Sequence, residues 1–464
     1  MQTEAITPLT AEECVAKCFS IGLCMRVGGQ VSHPPVTLKP VIVQKRPFMK
    51  LMTLQLEWNL LVNRISRDFA FLKTSLATTA ASDVSFTGKL LGILDDVYLS
   101  GAPYQDAMLG IFRNDYMEDV ARGWKQVEIN TISCSFAGLS PLVAQFHRFI
   151  AKATGEAADP VESQSMVEVP LALAEAHQYV LSTIPSTDRN NIIVFVIQEG
   201  ERNTFDQFAI SMRLLETHGV RCIRRTLKEL HEQGMRLNER GCASLDGQRI
   251  TVFYFRSTYT PNDFPSDVEW EARLMIEKSL SIKCPSIPQH LCTFKKIQQR
   301  LYDVKVLAQY TNQHVDIFET FVAQYSLNSR EIGSELVESV VDDAIAHPQR
   351  YVLKPQLEGG GNLFSGDRMV ALLKDGTNHH VREEYILMER IDVHQHNGFI
   401  LRGGVVHHVA QLCSEVGVYG TILSNAHSVI ANRTAGVVVR SKPADVDDGG
   451  VMAGVAALDA IQFS

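Results

Sequence analysis

The chain has 464 residues, of which 45% are hydrophobic and 21% charged, and a formal net charge of −8. That length supports two or three structural units with an ample core. A balance of 44 basic against 52 acidic residues excludes a general nucleic-acid or membrane-surface binder, which would carry a basic face or tail.

An anionic substrate would therefore have to be drawn by a few placed cations. From the polar start Met1-Gln2-Thr3-Glu4 neither a secretory nor a lipidation signal is expected, and no uncharged apolar run is long enough to span a bilayer. The nine cysteines are scattered without a C-x-x-C pair. They imply a reducing compartment, and a cytoplasmic protein is expected.

In chain order, Thr10-Ala11-Glu12-Glu13 has capping-box spacing and starts a first helix. Cys14, Cys18 and Cys24 fall on its amphipathic stretch and are expected as buried thiols, not metal ligands. Leu51, Leu54, Leu56, Trp58, Leu60, Leu61, Val62 and Ile65 predict a largely buried helix over 47–67. Near Arg113 the pattern is mixed. Residues 126–132 alternate with period two, predicting a strand with Glu128 and Asn130 on one face.

A polar patch around Pro160 precedes a predicted helix over 166–184. Residues 190–198 form a near-continuous apolar run of the kind buried in parallel sheets. A helical pattern over 206–217, the segment 219–223, a further helical stretch and a strand over 250–255 predict a small parallel α/β unit. Arg221, Arg224 and Arg225 are expected on a solvated face. Residues 267–310 are predicted helical, with Ile297, Leu301 and Val304 on one face, and a helix over 329–347 stops at Pro348. The remainder is strand-rich: 351–355, 385–391 and a hairpin around Gly403-Gly404.

The stretch from Tyr351 to Asn362 carries the chemistry most openly. Lys354 ends a short strand, and Glu358 follows beside Gly359-Gly360-Gly361. Such a loop can close over polyphosphate through its backbone N–H groups, and taken alone it serves equally as a plain flexible turn. It has neither a Gly-Lys-Ser/Thr ending nor a G-x-G-x-x-G spacing. Glu128 and Asn130 present hard oxygen donors, and Glu358 adds a third, which suits magnesium. Taken alone, Glu128 and Asn130 read more readily as the water-facing polar groups of an edge strand than as ligands.

Lys354, with Lys295 or Lys296, can place ammonium groups on nucleotide phosphates, although Lys295 and Lys296 taken alone read as ordinary exposed lysines. Arg440-Ser441-Lys442 leads into the glycine-rich stretch 448–454, a second lid-like loop beside cations. His379-His380, His394-Gln395-His396 and His407-His408 lack acidic or thiolate partners at ligand spacing, so no metal is expected on them.

Val127-Glu128-Ile129-Asn130-Thr131-Ile132-Ser133-Cys134-Ser135-Phe136 closely resembles the E-I-N-T-I-S-x-S-F motif of eukaryotic-type glutathione synthetases. Lys354 to Asn362 is similar to that family's glycine-rich lid. Tyr385 to Glu389, Asp448 to Val451, Glu201 to Gln207 and Tyr254-Phe255-Arg256 match further family motifs in the family's order. The resemblance runs from about Arg113 to Met452. It implies an ATP-grasp fold of mixed α/β (α+β) class, in which 1–187 and 295–464 form the body with its lid loops. The span 188–294 would be an inserted parallel α/β substrate-binding domain.

The implied activity is ATP- and magnesium-dependent ligation of γ-glutamylcysteine to glycine through an acyl phosphate, by a homodimer. Glu128, Asn130 and Glu358 would hold two magnesium ions. Lys295, Lys354, Gly359, Gly360, Gly361, Asn362, Ser365, Met388, Glu389, Arg390, Ile391, Glu415, Lys442 and Asp448 would contact ATP, as would Glu128. Arg113, Ile132, Ser133, Cys134, Ser135, Glu201, Arg202, Asn203, Gln207, Arg256 and Tyr259 would hold γ-glutamylcysteine. Arg440, Val451 and Met452 would lie near the substrate carboxylates. Lys295, Lys354 and Arg440 are the expected catalytic cations, because phosphoryl transfer onto a carboxylate brings two anions together. The amine then needs alignment and no side-chain nucleophile, so Cys134 is expected to pack.

Three positions depart from the family pattern. Asn362-Leu363-Phe364-Ser365-Gly366 stands where the family has two asparagines and a tyrosine, leaving Phe364 or Ser365 as candidates for that contact. Arg390 replaces a lysine, and Met452 a small residue near the second-substrate pocket. A ligase of the same fold for another amine, such as β-alanine, remains open, as does an ATP-binding module without turnover. The joint presence of Glu128, Asn130, Glu358, Lys354 and Arg440 speaks against the latter.

Overall fold

A computed structural model of the chain describes residues 9–101, 104–186, 190–355, 363–375, 385–447 and 449–464. The first helix, Ala11–Ser20, has both halves of the expected box. The Glu13 N–H donates to the Thr10 hydroxyl at 3.2 Å, and the Thr10 N–H to the Glu13 carboxylate at 2.7 Å. Cys14, Cys18 and Cys24 are buried thiols. The helix Lys45–Ile65 buries Leu51, Leu54, Trp58, Leu61, Val62 and Ile65, as the apolar spacing predicts.

The strands that position the site are β1 (Val36–Thr37), β2 (Met108–Asp119) and β3 (Gly123–Asn130), then β4 (Asn191–Val196), β5 (Arg221–Arg225), β6 (Gln248–Phe255) and β7 (Ile282–Cys284). They continue with β8 (Gln324–Ser326), β9 (Tyr351–Pro355), β10 (Tyr385–Glu389), β11 (His396–Arg402), β12 (Val405–Ser424), β13 (Val429–Pro443) and β14 (Ala457–Asp459). A largely antiparallel seven-stranded sheet runs in the order β11-β1-β14-β13-β12-β2-β3. β11 also pairs with β12, so one edge of that sheet curls back on itself. β8, β10 and β9 form a three-stranded antiparallel sheet.

β5, β4, β6 and β7 pair in parallel, as expected for 190–255. Along β4, Ile192, Val194 and Val196 enter a core with Phe253, Phe255 and Leu291, while Ile193 and Phe195 enter one with Phe146 and Tyr254. Both faces are covered, which is why the sequence shows an unbroken apolar run.

Elsewhere the structure departs from local pattern. The predicted helical span 267–310 is interrupted: the helix Asp267–Lys278 gives way to β7, then to short helices Ile287–Leu291, Lys295–Leu301 and Val304–Tyr310. β7 completes the edge of β6, and Pro285 disfavours helix at the residue before it. The span 329–347 divides at Gly333, whose φ of 84° suits glycine. Arg224 is half-buried rather than solvated; it stacks on Phe208 at 4.7 Å and donates to Gln207 at 2.8 Å. The hairpin expected around Gly403-Gly404 joins β11 to β12, whereas β2 and β13, which flank β12 in the main sheet, are not anticipated by the sequence.

β14 carries a buried acid. Asp459 accepts from the Ser441 hydroxyl at 2.6 Å and the Ala460 N–H at 2.7 Å, and burial pushes its carboxyl up to about 6. A carboxyl raised in the folded state favours folding below its ordinary pKa and loses that contribution as pH rises through the folded value. Asp459→Asn should therefore gain on the wild type by about 2–3 kcal/mol between about pH 4 and 6. Urea unfolding at several pH values reads this difference. Buried His147, pushed down to about 4, titrates with opposite sign in the same window, so the wild-type slope alone is not the readout. A variant-minus-wild-type difference constant with pH would contradict the assignment.

Candidate active site

Residues from β2, β3, β9, β10, β12 and β13, with Lys295 and parts of 132–136 and 444–456, line one cleft of about 390 Å³. One face of β2 leads into it. Leu109 and Ile111 lie in the core, and the same period of two then presents Arg113, Asp115 and Met117. Asp115 is fully buried. It accepts from Arg113 Nε and Nη2 at 2.6 and 2.7 Å, Asn130 Nδ2 at 2.9 Å and Arg440 Nη2 at 2.7 Å.

The register between β2 and β3 decides what else faces the cleft. Tyr116 pairs with Gln126 but Asp115 with Glu128, leaving Val127 as an extra, bulged residue. Without that bulge Glu128 and Asn130 would turn to the core and Ile129 to the cleft, whereas with it Val127 and Glu128 both line the cleft. The same bulge offers the Val127 carbonyl to Lys354 Nζ at 2.9 Å.

Lys295 Nζ lies 3.0 Å from Glu128 Oε2. Burial would push the Glu128 carboxyl up, but Lys295 and Lys354, with Arg440, hold it well below the usual carboxylate range. Glu415 contacts Arg440 directly, yet burial raises its carboxyl, with Asp115 and Glu128 adding to the rise. Gly417 on β12 pairs directly with Asp115 on β2; a Cβ there would stand 2.6 Å from both the Arg113 side chain and the Asp115 carboxylate. Only hydrogen at that position leaves room for the ion pair.

Met117, Val127, Val352, Leu363, Met388, Ile391 and Val393 form an apolar slot at one end of the cleft. At its rim Glu389 accepts from Arg122 at 2.8 Å, and Arg122 also pairs with Asp119. At the other end Ser133 and Phe136 have positive φ values of 53° and 73°. Buried Arg256 donates to Asp206 at 2.6 Å and to the Ser135 hydroxyl at 3.2 Å. Asp206 also accepts from the Phe136 and Gly138 N–H groups at 3.0 and 2.6 Å, which holds this strained turn.

Of the residues singled out in the sequence, Arg113, Glu128, Asn130, Ile132, Ser133, Ser135, Tyr259, Lys295 and Lys354 line this cleft. So do Met388, Glu389, Arg390, Ile391, Glu415, Arg440, Lys442, Val451 and Met452. Arg256 joins it through Ser135. Glu201, Asn203 and Gln207 form their own cluster, in which Glu201 accepts from the Asn203 N–H at 2.6 Å and Gln207 Nε2 at 2.8 Å. They are not on the cleft wall, and Arg202 is exposed.

Cys134 is behind the wall, not on it: its thiol donates to the Ile111 carbonyl at 3.2 Å and the Asn130 carbonyl at 3.3 Å. A side chain between two cleft-facing serines points the other way. Ser365 reaches the cleft through Asp447. Glu358, Gly359, Gly360, Gly361, Asn362 and Asp448 lie outside the described residues, as do His379 and His380.

Asp115, Asp206, Gly417, Arg122 and Asp447 were not anticipated. For Asp115 a signal existed in the alternation from Leu109 to Met117. Among the described residues no group of three or more His, Cys, Asp or Glu is placed to hold a metal. The expected magnesium set nevertheless fits in part. Asp115 accepts from the Asn130 amide N–H, which leaves the amide oxygen, beside the Glu128 carboxylate, as a hard donor.

The family model described as eukaryotic glutathione synthase, ATP binding domain, matches residues 13–463. The chloroplastic glutathione synthetase of Arabidopsis thaliana is 37% identical over 442 residues, 94% of this chain and 79% of that protein. The Homo sapiens glutathione synthetase is 35% identical over 466 residues, 97% and 95% of the two chains. A glutathione synthetase-like effector from Globodera pallida, solved in apo form, shares the fold with a TM-score of 0.77 at 19% identity, covering 98% of this chain and 96% of that one.

Proposed function

The chain belongs to the eukaryotic glutathione synthase family and is an ATP-dependent ligase, and from that premise we propose that it joins γ-glutamylcysteine to glycine through an acyl phosphate. The observation that carries this reading is the convergence of Lys295, Lys354 and Arg440 on one cleft beside Glu128. In the first step the cysteinyl carboxylate of γ-glutamylcysteine takes the γ-phosphoryl group and ADP leaves. In the second the amine attacks the acyl carbon and phosphate leaves. Lys295, Lys354 and Arg440 offset the repulsion between the two anions and the charge that develops during transfer.

The apolar slot with Met388 and Ile391 suits a purine ring, with Glu389 at its rim as an acceptor. Arg113, Ser133, Ser135, Arg256 and Tyr259 are assigned to γ-glutamylcysteine, and Val451 and Met452 to the amine. Glu128 and Asn130, with Glu358, would hold two magnesium ions. When bound these would neutralise phosphate charge.

We assign the architecture to the ATP-grasp class, with 188–294 as the inserted substrate domain, since the parallel sheet β4–β7 occupies that span. A homodimer is supported by an exposed apolar stripe, Phe208, Met212 and Leu215, one turn apart on the helix Thr204–His218. Exposed Val27 and Val31 flank it on a hairpin tied to the same segment by an Arg26 N–H to Arg202 carbonyl bond of 3.0 Å. The proposed compartment is the cytoplasm, consistent with nine free cysteines. No helix among the described residues is long and apolar enough to cross a membrane.

The test is ADP release by purified protein with ATP, magnesium and γ-glutamylcysteine, with and without glycine. Glycine-dependent release with the tripeptide seen by mass spectrometry is the expected result. Release only with another amine would make Met452 the first position to change. ATP binding without release would overturn the ligation step, and light scattering reads the dimer.

A further inference from the structure

Asp447 lies on the cleft wall where three chain segments that are distant in sequence meet. Its Oδ1 accepts from Arg390 Nη2 at 2.7 Å, just beyond the end of β10. Its Oδ2 accepts from the Ser365 hydroxyl. Ser365 occupies the N-cap position of the helix Gly366–Lys374 but makes no side-chain cap bond there. A serine at that position ordinarily caps its own helix; here its hydroxyl is spent on another segment. The Asp447 carbonyl accepts from Lys442 Nζ at 2.6 Å, which fixes the loop to the end of β13.

We infer that Asp447 is a positioning residue that couples the nucleotide end of the cleft to the loop carrying Val451 and Met452. A lone carboxylate would repel a polyphosphate, so its presence on this wall makes sense only if Arg390 neutralises it. The pair is partly exposed, with side chains 39% and 33% accessible, so it contributes little to global stability. Its effect is local. By joining Ser365, Arg390 and the segment 444–447 before ligands arrive, it removes part of the ordering cost from binding.

The inference rests on the ligase reading for its amine arm, and its nucleotide arm is read independently. Asp447→Ala should weaken magnesium-ATP binding, measured by calorimetry, about five- to tenfold without moving the urea midpoint. Asp447→Asn, which keeps an acceptor for Ser365 but no charge for Arg390, should fall between. The Lys442 contact is to backbone and survives both substitutions.

In steady state, KM for ATP and for glycine should rise together and by more than kcat falls. KM for γ-glutamylcysteine should stay within about twofold, because Arg113 and Ser133 are held by other segments. Wild-type ATP affinity in Asp447→Ala, or an equal rise in all three KM values, would overturn the inference. If the wild type binds ATP but does not ligate, the reaction assignment fails and calorimetry still judges Asp447. If it ligates and Asp447→Ala matches it throughout, only this inference fails.

Discussion

Asp115→Ala is expected to cost about 3–5 kcal/mol of folding stability and to remove ligation even where the protein remains folded. The cost follows from what is left behind. Asp115 is fully buried, and Arg113 beside it has only 6% of its side chain accessible. Deleting the carboxylate strands the Arg113 guanidinium in a site where burial disfavours its charge and Asp115 is the main group holding it up. Arg440 and the Asn130 amide lose a shared acceptor at the same time. Asp115→Asn keeps the shape and one acceptor but places N–H against N–H, so it should be nearly as damaging. Urea unfolding and ADP release measured together separate the two effects. A variant less than about 1 kcal/mol down, with normal turnover, would show that Asp115 does not organise the site.

Arg440→Met should lower kcat by about 10²–10³-fold with a smaller change in ATP affinity. Arg440 touches both Asp115 and Glu415. Its loss leaves those acids and Glu128 facing a substrate carboxylate and a phosphoryl group. Glu415, already raised by burial and its acidic neighbours, would hold its proton to still higher pH. Arg440→Lys restores the charge without the planar fork and should recover only part of the rate. Single-turnover ADP formation isolates the chemical step. A loss below tenfold would confine Arg440 to a structural role.

Much of the fold was legible because its signals are local. The capping box at Thr10, the apolar spacing of the helix Lys45–Ile65 and the two-faced burial of β4 each depend on residues within one element. The helical reading of 267–310 failed where a tertiary demand intervened: β6 needed an edge partner, and β7 supplied it. β2 escaped notice because its face changes character midway, apolar through Ile111 and charged from Arg113. A window averaging both halves shows neither.

By itself, then, the sequence determined the family, the parallel unit and the residue types of the cleft, including Glu128, Asn130, Lys295, Lys354 and Arg440. Those identities are readable because the motifs that carry them resemble the family's in residue type and order; taken alone, Lys295 and the pair Glu128 and Asn130 read as ordinary polar surface. Only the tertiary structure decided how they meet. The bulge at Val127 that turns Glu128 outward depends on the pairing with β2. The role of Asp115 depends on Arg440, which reaches it from β13 across β12. Gly417 matters because Arg113 and Asp115 fill the space above it, and Asp447 because Ser365 and Arg390 arrive there from elsewhere. Contacts between strands hundreds of residues apart leave no period along the chain, so cross-strand register, set by the whole sheet, decides them.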